Sequence, residues 1–268
     1  MCLVPGTIIE KHSGSQGDGD PLLYNVAYFI SHDGTVLGSY RKKNIWHPER
    51  PHLTSSGQER HEAIDTPLGR IGMLVCWDLA FPEAFRELIA DGAEIIIIPT
   101  FCMVSFLIRF HLHSLKFQPS KYTAHRTRSR ENKRRERKKK KIAKVGKETN
   151  ISNFTPTPGT PHDAPAEARR YNPDSESLFL NSTLTSRCFE NTCGIIFVNA
   201  AGPQEDFLGM SQVTLPVVGP ISKMGTEEGL RVVDMNLDLL GLAEKAYKVR
   251  YDIGREDWHY KYRHSFSK

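Results

Sequence analysis

Two short stretches of this sequence hold side chains whose types and order suit nucleophilic chemistry. In Gly69-Arg70-Ile71-Gly72-Met73-Leu74-Val75-Cys76-Trp77-Asp78, an apolar run leads straight into a cysteine, and Phe81-Pro82-Glu83 follows. A cysteine at a strand end, on a sharp turn before a helix, is lifted out of the sheet to where backbone N–H groups can face a developing oxyanion. The thiolate attacks, and a free thiol has a pKa of about 8.5, so such a site needs a neighbouring base or cation. Standing alone, Cys76 reads more often as a buried structural cysteine. The second stretch is Tyr40-Arg41-Lys42-Lys43-Asn44-Ile45-Trp46-His47-Pro48-Glu49-Arg50. A lysine just past a strand edge supplies a positive charge to a tetrahedral intermediate, and Glu49 is close enough in sequence to hold Lys42. Standing alone, this is a solvated basic strand end. Cys102, beside Pro99-Thr100-Phe101, is placed to line a pocket, and His47 and His52 are loop residues near Lys42.

The elements that must position these groups follow from the apolar pattern. Tyr24 to Ile30 and Thr35 to Tyr40 are β-branched and aromatic runs on either side of His32-Asp33-Gly34, a hairpin signal. Residues 71–75 read as a buried strand. Pro82 suits the first turn of a helix with Phe85, Leu88 and Ile89 on one face and Gly92 at its end, and residues 93–99 form a continuous apolar strand. Strand, turn, helix, strand is the crossover unit of an α/β sheet. The order resumes with a capped helix over 172–187 and a strand over 194–199. Strands over 212–215 and 231–235 and a helix over 239–248 follow.

Composition supports a globular chain: 268 residues, 39% hydrophobic and 25% charged, with no apolar run long enough to span a membrane and no secretion signal, which places it in the cytoplasm. Five cysteines without CxxC or Cys/His spacing favour neither a disulfide framework nor a metal site. The net charge of +5 is uneven. Residues 104–162 carry 16 Lys and Arg against 3 Glu, a local net of +13, leaving −8 on the rest. A like-charge block followed by a Thr/Pro/Gly stretch cannot bury enough apolar surface to offset ordering entropy, so this segment is expected to be disordered. Three parts result: 1–103 and 163–268 as the two parts of one enzyme-like domain, and 104–162 as a basic insertion.

Taken together, Gly6-Thr7-Ile8-Ile9-Glu10, Tyr24-Asn25, Tyr40-Arg41-Lys42, Gly69-Arg70-Ile71-Gly72, Cys76-Trp77-Asp78 with Phe81-Pro82-Glu83, and Gly92-Ala93-Glu94 with Pro99 resemble the nitrilase, or carbon-nitrogen hydrolase, superfamily. Arg187 to Asn191, Asn199-Ala200-Ala201-Gly202 and Gly209-Met210-Ser211 resemble its second half. The resemblance implies an α/β four-layer α-β-β-α sandwich, incomplete here at the N-terminus. It also implies hydrolysis of a small-molecule nitrile or non-peptide amide to an acid plus ammonia or amine, without cofactor or metal, and pairing into a homodimer. By the same resemblance Cys76 is the nucleophile, giving a thioimidate or thioester. Lys42 and the backbone N–H of Trp77 stabilise the tetrahedral intermediate, Glu49 positions Lys42, and Phe101 and Cys102 lie at the substrate.

Two departures set further expectations. The superfamily's general-base glutamate lies upstream of the lysine in a segment this sequence does not match, and Glu10 corresponds to an outer strand. General-base help contributes about 10²–10⁴-fold, so little or no turnover is expected of the chain as written. Residues 104–162 stand where a short active-site loop belongs and read as translated noncoding sequence, with a start placed too far downstream. Competing readings are a catalytically inactive subunit or scaffold and, less favoured, nucleic-acid binding through residues 126–147. That run lacks interleaved aromatics and any base-reading fold.

Overall fold

The computed structural model describes residues 1–13, 21–102, 171–203 and 206–260. The expected basic insertion, the domain bounds around it and its nucleic-acid reading therefore lie outside the described residues. Two sheets organise the rest. Strands β1 (Thr7–His12), β2 (Leu22–Ile30) and β3 (Val36–Arg41) form an antiparallel three-stranded sheet in chain order. The β2–β3 connection closes at the anticipated Asp-Gly, with Gly34 at φ 90° and the Ser31 N–H donating to the Thr35 carbonyl at 2.8 Å.

The second sheet has six strands in the order β4 (Ile64–Thr66), β5 (Gly69–Met73), β6 (Ile95–Thr100), β7 (Gly194–Asn199), β8 (Gln212–Leu215) and β9 (Gly219–Lys223). β5, β6 and β7 are parallel. Helix α1 (Pro82–Ala90) joins β5 to β6, and α2 (Ser175–Asn191) precedes β7. The near-continuous apolar runs of β5 and β6 are what a strand covered on both faces requires. Ile71, Met73 and Val75 alternate with Leu74, and Ile95 alternates with Ile96 and Ile98, so each strand feeds two cores. One core packs Leu74, Ile96, Ile98, Ile195 and Phe197 against Phe85, Leu88 and Ile89 of α1 and Leu180, Leu184 and Cys188 of α2. The other packs Ile71, Met73, Val75 and Ile95 against Ala27 and Phe29 of the three-stranded sheet. Helix layer, sheet and sheet make three layers of the expected sandwich. Among the described residues no helix covers the outer face of the three-stranded sheet. The Gly-Arg-Ile-Gly run has a packing reason: a Cβ on Gly72 would lie 2.8 Å from Leu88 Cδ1, so glycine lets α1 sit close on β5.

The strand expected over 231–235 is corrected. Those residues make no ladder, and the last strand is β9 instead, which pairs antiparallel with β8. Met235 tucks against Gly194 and the core between the sheets, while Leu230 and Val232 face solvent. Alternating burial without backbone pairing produced the strand-like pattern. The helix expected over 239–248 is present as α3 (Asp238–Tyr247), and after Lys248, at φ 54°, a further helix α4 (Val249–Gly254) follows. Arg250 of α4 donates to the carbonyls of Ala93 and Thr192 and ties this end onto the sheet. Cys188 and Cys193 are fully buried, the Cys188 thiol donating to the Cys193 carbonyl, in keeping with a packing role. Among the described residues no helix is long and apolar enough to cross a membrane.

His61 sits behind the loop after β3, 3% exposed and stacked on Tyr40 at 5.3 Å. Burial, with Lys43 nearby, pushes its pKa down to about 4, and the facing Glu87 carboxylate is 4.0 Å away. The unfolded chain therefore takes up a proton first, near pH 6.5, while folded His61 stays neutral. Stability should fall as pH drops from about 6.5 towards 4, by up to roughly 3 kcal/mol. Urea unfolding of the wild type and His61→Gln across that range checks this. An unchanged pH slope in the variant would remove His61 as the cause.

Candidate active site

The carboxyl ends of three parallel strands carry the expected reactive residues, where open α/β sheets place their ligands. Cys76 follows β5 and opens a tight 3₁₀ turn (Cys76–Ala80) leading into α1. Its φ of 50° is rare for a residue with a Cβ and fits the elbow read from sequence. Phe101 and Cys102 follow β6, and Asn199 ends β7.

Lys42 arrives from the other sheet. It follows β3, its N–H donates to the Asn25 carbonyl at 2.8 Å, and its side chain is completely buried. Nζ donates to Glu49 Oε2 at 2.5 Å. Glu49 closes a second 3₁₀ turn (His47–Glu49), and the same oxygen accepts the Trp46 N–H at 3.1 Å. A buried ammonium is tolerable only with such a partner. Lysine and glutamate are thus a unit, as the spacing suggested.

The Cys76 side chain is half-buried, with Cys102, the Phe101 N–H and the Lys42 charge close enough to act on it. Cys102 has the largest influence on its ionisation. Burial opposes it, the Lys42 charge and the Phe101 N–H reinforce it, and the net is a pKa lowered to about 7. Cys76 beside it and burial together push the Cys102 pKa well up. Asn199 Oδ1 accepts the Cys102 N–H at 2.8 Å, while Asn199 Nδ2 donates to the Gly209 carbonyl at 2.6 Å, so this loop is held from β7.

Of the residues expected at the site, Cys76, Lys42, Glu49 and Cys102 converge. Phe101 does so only through its N–H, because its ring is 64% exposed and packs edge-on against Phe207. The Trp77 ring lies 4.3 Å, edge-on, from Trp46, joining the loops that carry Cys76 and Lys42 by an aromatic contact.

The group that sequence reading passed over is Asp78. Fully buried, it accepts from Tyr40 Oη at 2.8 Å, Asn44 N–H at 2.9 Å, Asn44 Nδ2 at 2.8 Å and Val75 N–H at 2.9 Å. Tyr40 and Asn44 bracket Lys42, and Val75 precedes Cys76, so one carboxylate fastens both loops. Burial raises its pKa, and those four hydrogen bonds work against the rise. The available signal was the simultaneous presence of an aspartate two residues after the cysteine and a tyrosine two before the lysine.

The model of the carbon-nitrogen hydrolase family matches residues 1–134, half of the chain. The chain belongs to the carbon-nitrogen hydrolase family. It is 39% identical over 82 residues to an N-carbamoylputrescine amidase of Arabidopsis thaliana, covering 29% of this chain and 27% of that protein. It is 36% identical over 103 residues to a citrullinase of Francisella tularensis, covering 37% and 33%. The chain thus spans about a third or less of the length of these curated carbon-nitrogen hydrolase relatives. A carbon-nitrogen hydrolase structure from Helicobacter pylori superposes on 95% of this chain and 68% of its own, with a TM-score of 0.59 at 20% identity, a likeness of fold.

Proposed function

We propose that this carbon-nitrogen hydrolase is a thiol hydrolase of small-molecule nitriles or amides, with Cys76 as nucleophile. One observation supports this best: a cysteine on a positive-φ elbow at the end of β5, its pKa lowered to about 7, with the charge of a buried lysine from the opposite sheet, itself paired with a glutamate, among the causes. Sγ attacks the nitrile or carbonyl carbon and makes a thioimidate or thioester. The Lys42 ammonium and the Trp77 N–H face the charge that develops on the substrate nitrogen or oxygen. Glu49 holds Lys42 in place. Water then releases the acid, with ammonia or amine as the other product.

Proton transfer limits turnover by these residues. Glu49 is the carboxylate that acts on Cys76, and both Lys42 and the Trp46 N–H already occupy it. Ionised Cys76 can still attack, but the carboxylate beside it is not free to pass protons to the leaving group and water. The chain is therefore expected to be acylated far faster than it turns over. Ammonia release from a nitrile and amide panel, with Cys76→Ala as control, tests the reading. Release that Cys76→Ala does not diminish would overturn it.

Ionisation is checked separately. Iodoacetamide labelling of Cys76, followed by peptide mass spectrometry, should rise with pH about a midpoint near 7 and level off above it. A midpoint at the ordinary thiol value of about 8.5 would contradict the arrangement.

A further inference from the structure

A cavity of about 390 Å³, within the size range of small-molecule sites, lies beside the loop that holds Lys42 and Glu49. Cys76, Lys42, Glu49 and Cys102 take no part in lining it. Ile45, Leu53 and Phe81 make its apolar wall, and Lys43 and Arg50 bring the charges, with no carboxylate in the lining. The frame is fixed. Ser55, also in the wall, donates through Oγ to the Lys43 carbonyl at 2.6 Å and accepts the Gly57 N–H at 3.0 Å. The Thr54 N–H donates to the Leu23 carbonyl at 2.7 Å, and Asp78 holds both the Asn44 N–H and its amide. The neutral side chains here are thus already engaged, and the two cations are not. Arg50 Nε donates to the Ile45 carbonyl at 3.3 Å, which orients an exposed guanidinium whose terminal nitrogens have no carboxylate partner among the described residues. Lys43 Nζ is 3.7 Å from Glu87 Oε2, an ion pair too long for a hydrogen bond, so its N–H groups are open to a further acceptor.

We propose that this cavity binds a small organic carboxylate, its anionic end at Lys43 and Arg50 and its apolar body against Ile45, Leu53 and Phe81, at a site separate from Cys76. A guanidinium with free terminal nitrogens accepts a carboxylate through two parallel hydrogen bonds, and an ammonium adds a point charge. A cation would meet two like charges there. Inorganic phosphate would satisfy the charges but leave the three apolar side chains without a partner, so the wall favours a ligand with a hydrocarbon or aromatic part. Lys43 follows Lys42 and Arg50 follows Glu49. A ligand that bridges the two cations therefore ties together both ends of the turn on which the buried lysine–glutamate pair is built, and stabilises the folded chain by mass action.

The site needs nothing from the nucleophile reading, and the test keeps the two apart. Benzoate is the probe, benzyl alcohol its uncharged counterpart, and inorganic phosphate an anion without an apolar body. Amide chemical-shift titration of the full isotope-labelled chain at pH 7 reads all three. Benzoate is expected to give saturable shifts centred on residues 43–55 and 81 and to raise the melting temperature. Arg50→Gln and Lys43→Gln should each weaken it about tenfold or more, since each removes a charge-assisted hydrogen bond. Arg50 is exposed, so its variant tests the site without disturbing the core. Benzyl alcohol and phosphate should both bind more weakly than benzoate, and Cys76→Ala should bind benzoate as the wild type does. Equal binding by benzyl alcohol or by phosphate, or benzoate affinity unchanged in Arg50→Gln, would overturn the proposal. Loss of benzoate binding in Cys76→Ala would place the ligand at the cysteine and overturn it too, with the nucleophile reading intact.

Discussion

Asp78→Ala is expected to lower the free energy of unfolding by about 3–5 kcal/mol and to disorganise Cys76 and Lys42 together. The substitution removes one buried carboxylate but orphans four donors: the Tyr40 hydroxyl, the Asn44 N–H and amide, and the Val75 N–H. Each buried donor left unpaired costs about 1–3 kcal/mol, with relaxation and entering water recovering part of the sum. Tyr40 is closed in by His61 on one side and by the helix-side core on the other, so its hydroxyl has little room to find another acceptor. Asp78→Asn separates packing from hydrogen bonding, because it keeps the size but can no longer accept at both oxygens. It should fall between wild type and Asp78→Ala. Urea unfolding gives the stability, and the rate of Cys76 alkylation at pH 7 gives the state of the site. A loss below about 1 kcal/mol in Asp78→Ala would mean that the loops carry their own conformation.

Lys42→Met should act in the opposite way, sparing the fold and damaging the chemistry. A fully buried ammonium costs much of what its ion pair returns, and removing one partner is expensive only where the other is left buried and unpaired. The partner left behind is not trapped, since the Glu49 side chain is 31% exposed and keeps the Trp46 N–H. The melting temperature is therefore expected to hold or rise. Transition-state stabilisation, by contrast, loses its fixed charge. Removing one preorganised group at an oxyanion costs about 10²–10³-fold in rate. Acylation of Cys76 by p-nitrophenyl acetate, followed as nitrophenolate release, isolates this step from the slow turnover. Lys42→Met should be slower by about that factor, with the alkylation midpoint of Cys76 moved upward as the Lys42 charge disappears. A variant that unfolds, or one that acylates at the wild-type rate, would reduce Lys42 to a structural residue.

The two variants separate what was legible from pattern and what was not. Strand β5 running into Cys76, the Pro82 helix start, the apolar β6 and the hairpin at Asp33-Gly34 all rest on period, run length and turn residues, which act within a few positions of one another. Lys42 and Glu49 are seven apart, and a short turn suffices to bring them together. β9 and the extended segment around Val232 were misjudged because pairing is a choice between partners. Neither Gly219–Lys223 nor residues 231–235 alternates cleanly, and the pairing with β8 decides which one joins the ladder.

Asp78 eluded the sequence for a related reason. An aspartate in a turn after a strand end is ordinarily a local cap, and three of its four hydrogen bonds come from side chains and backbone 34 and 38 positions away. The ring of Phe101 likewise points to solvent while its N–H is close enough to act on Cys76, a distinction that residue type does not contain. Local patterning thus indicated the class of fold and the chain order of most strands, and the family resemblance pointed to Cys76, Lys42 and Glu49 as candidates. The packing of one sheet on the other decided the rest: that a lysine after β3 comes near a cysteine after β5, and that Asp78 fastens the loops that carry them. Those contacts depend on burial and on the relative placement of elements distant in the chain, and short-range periodicity carries no information about either.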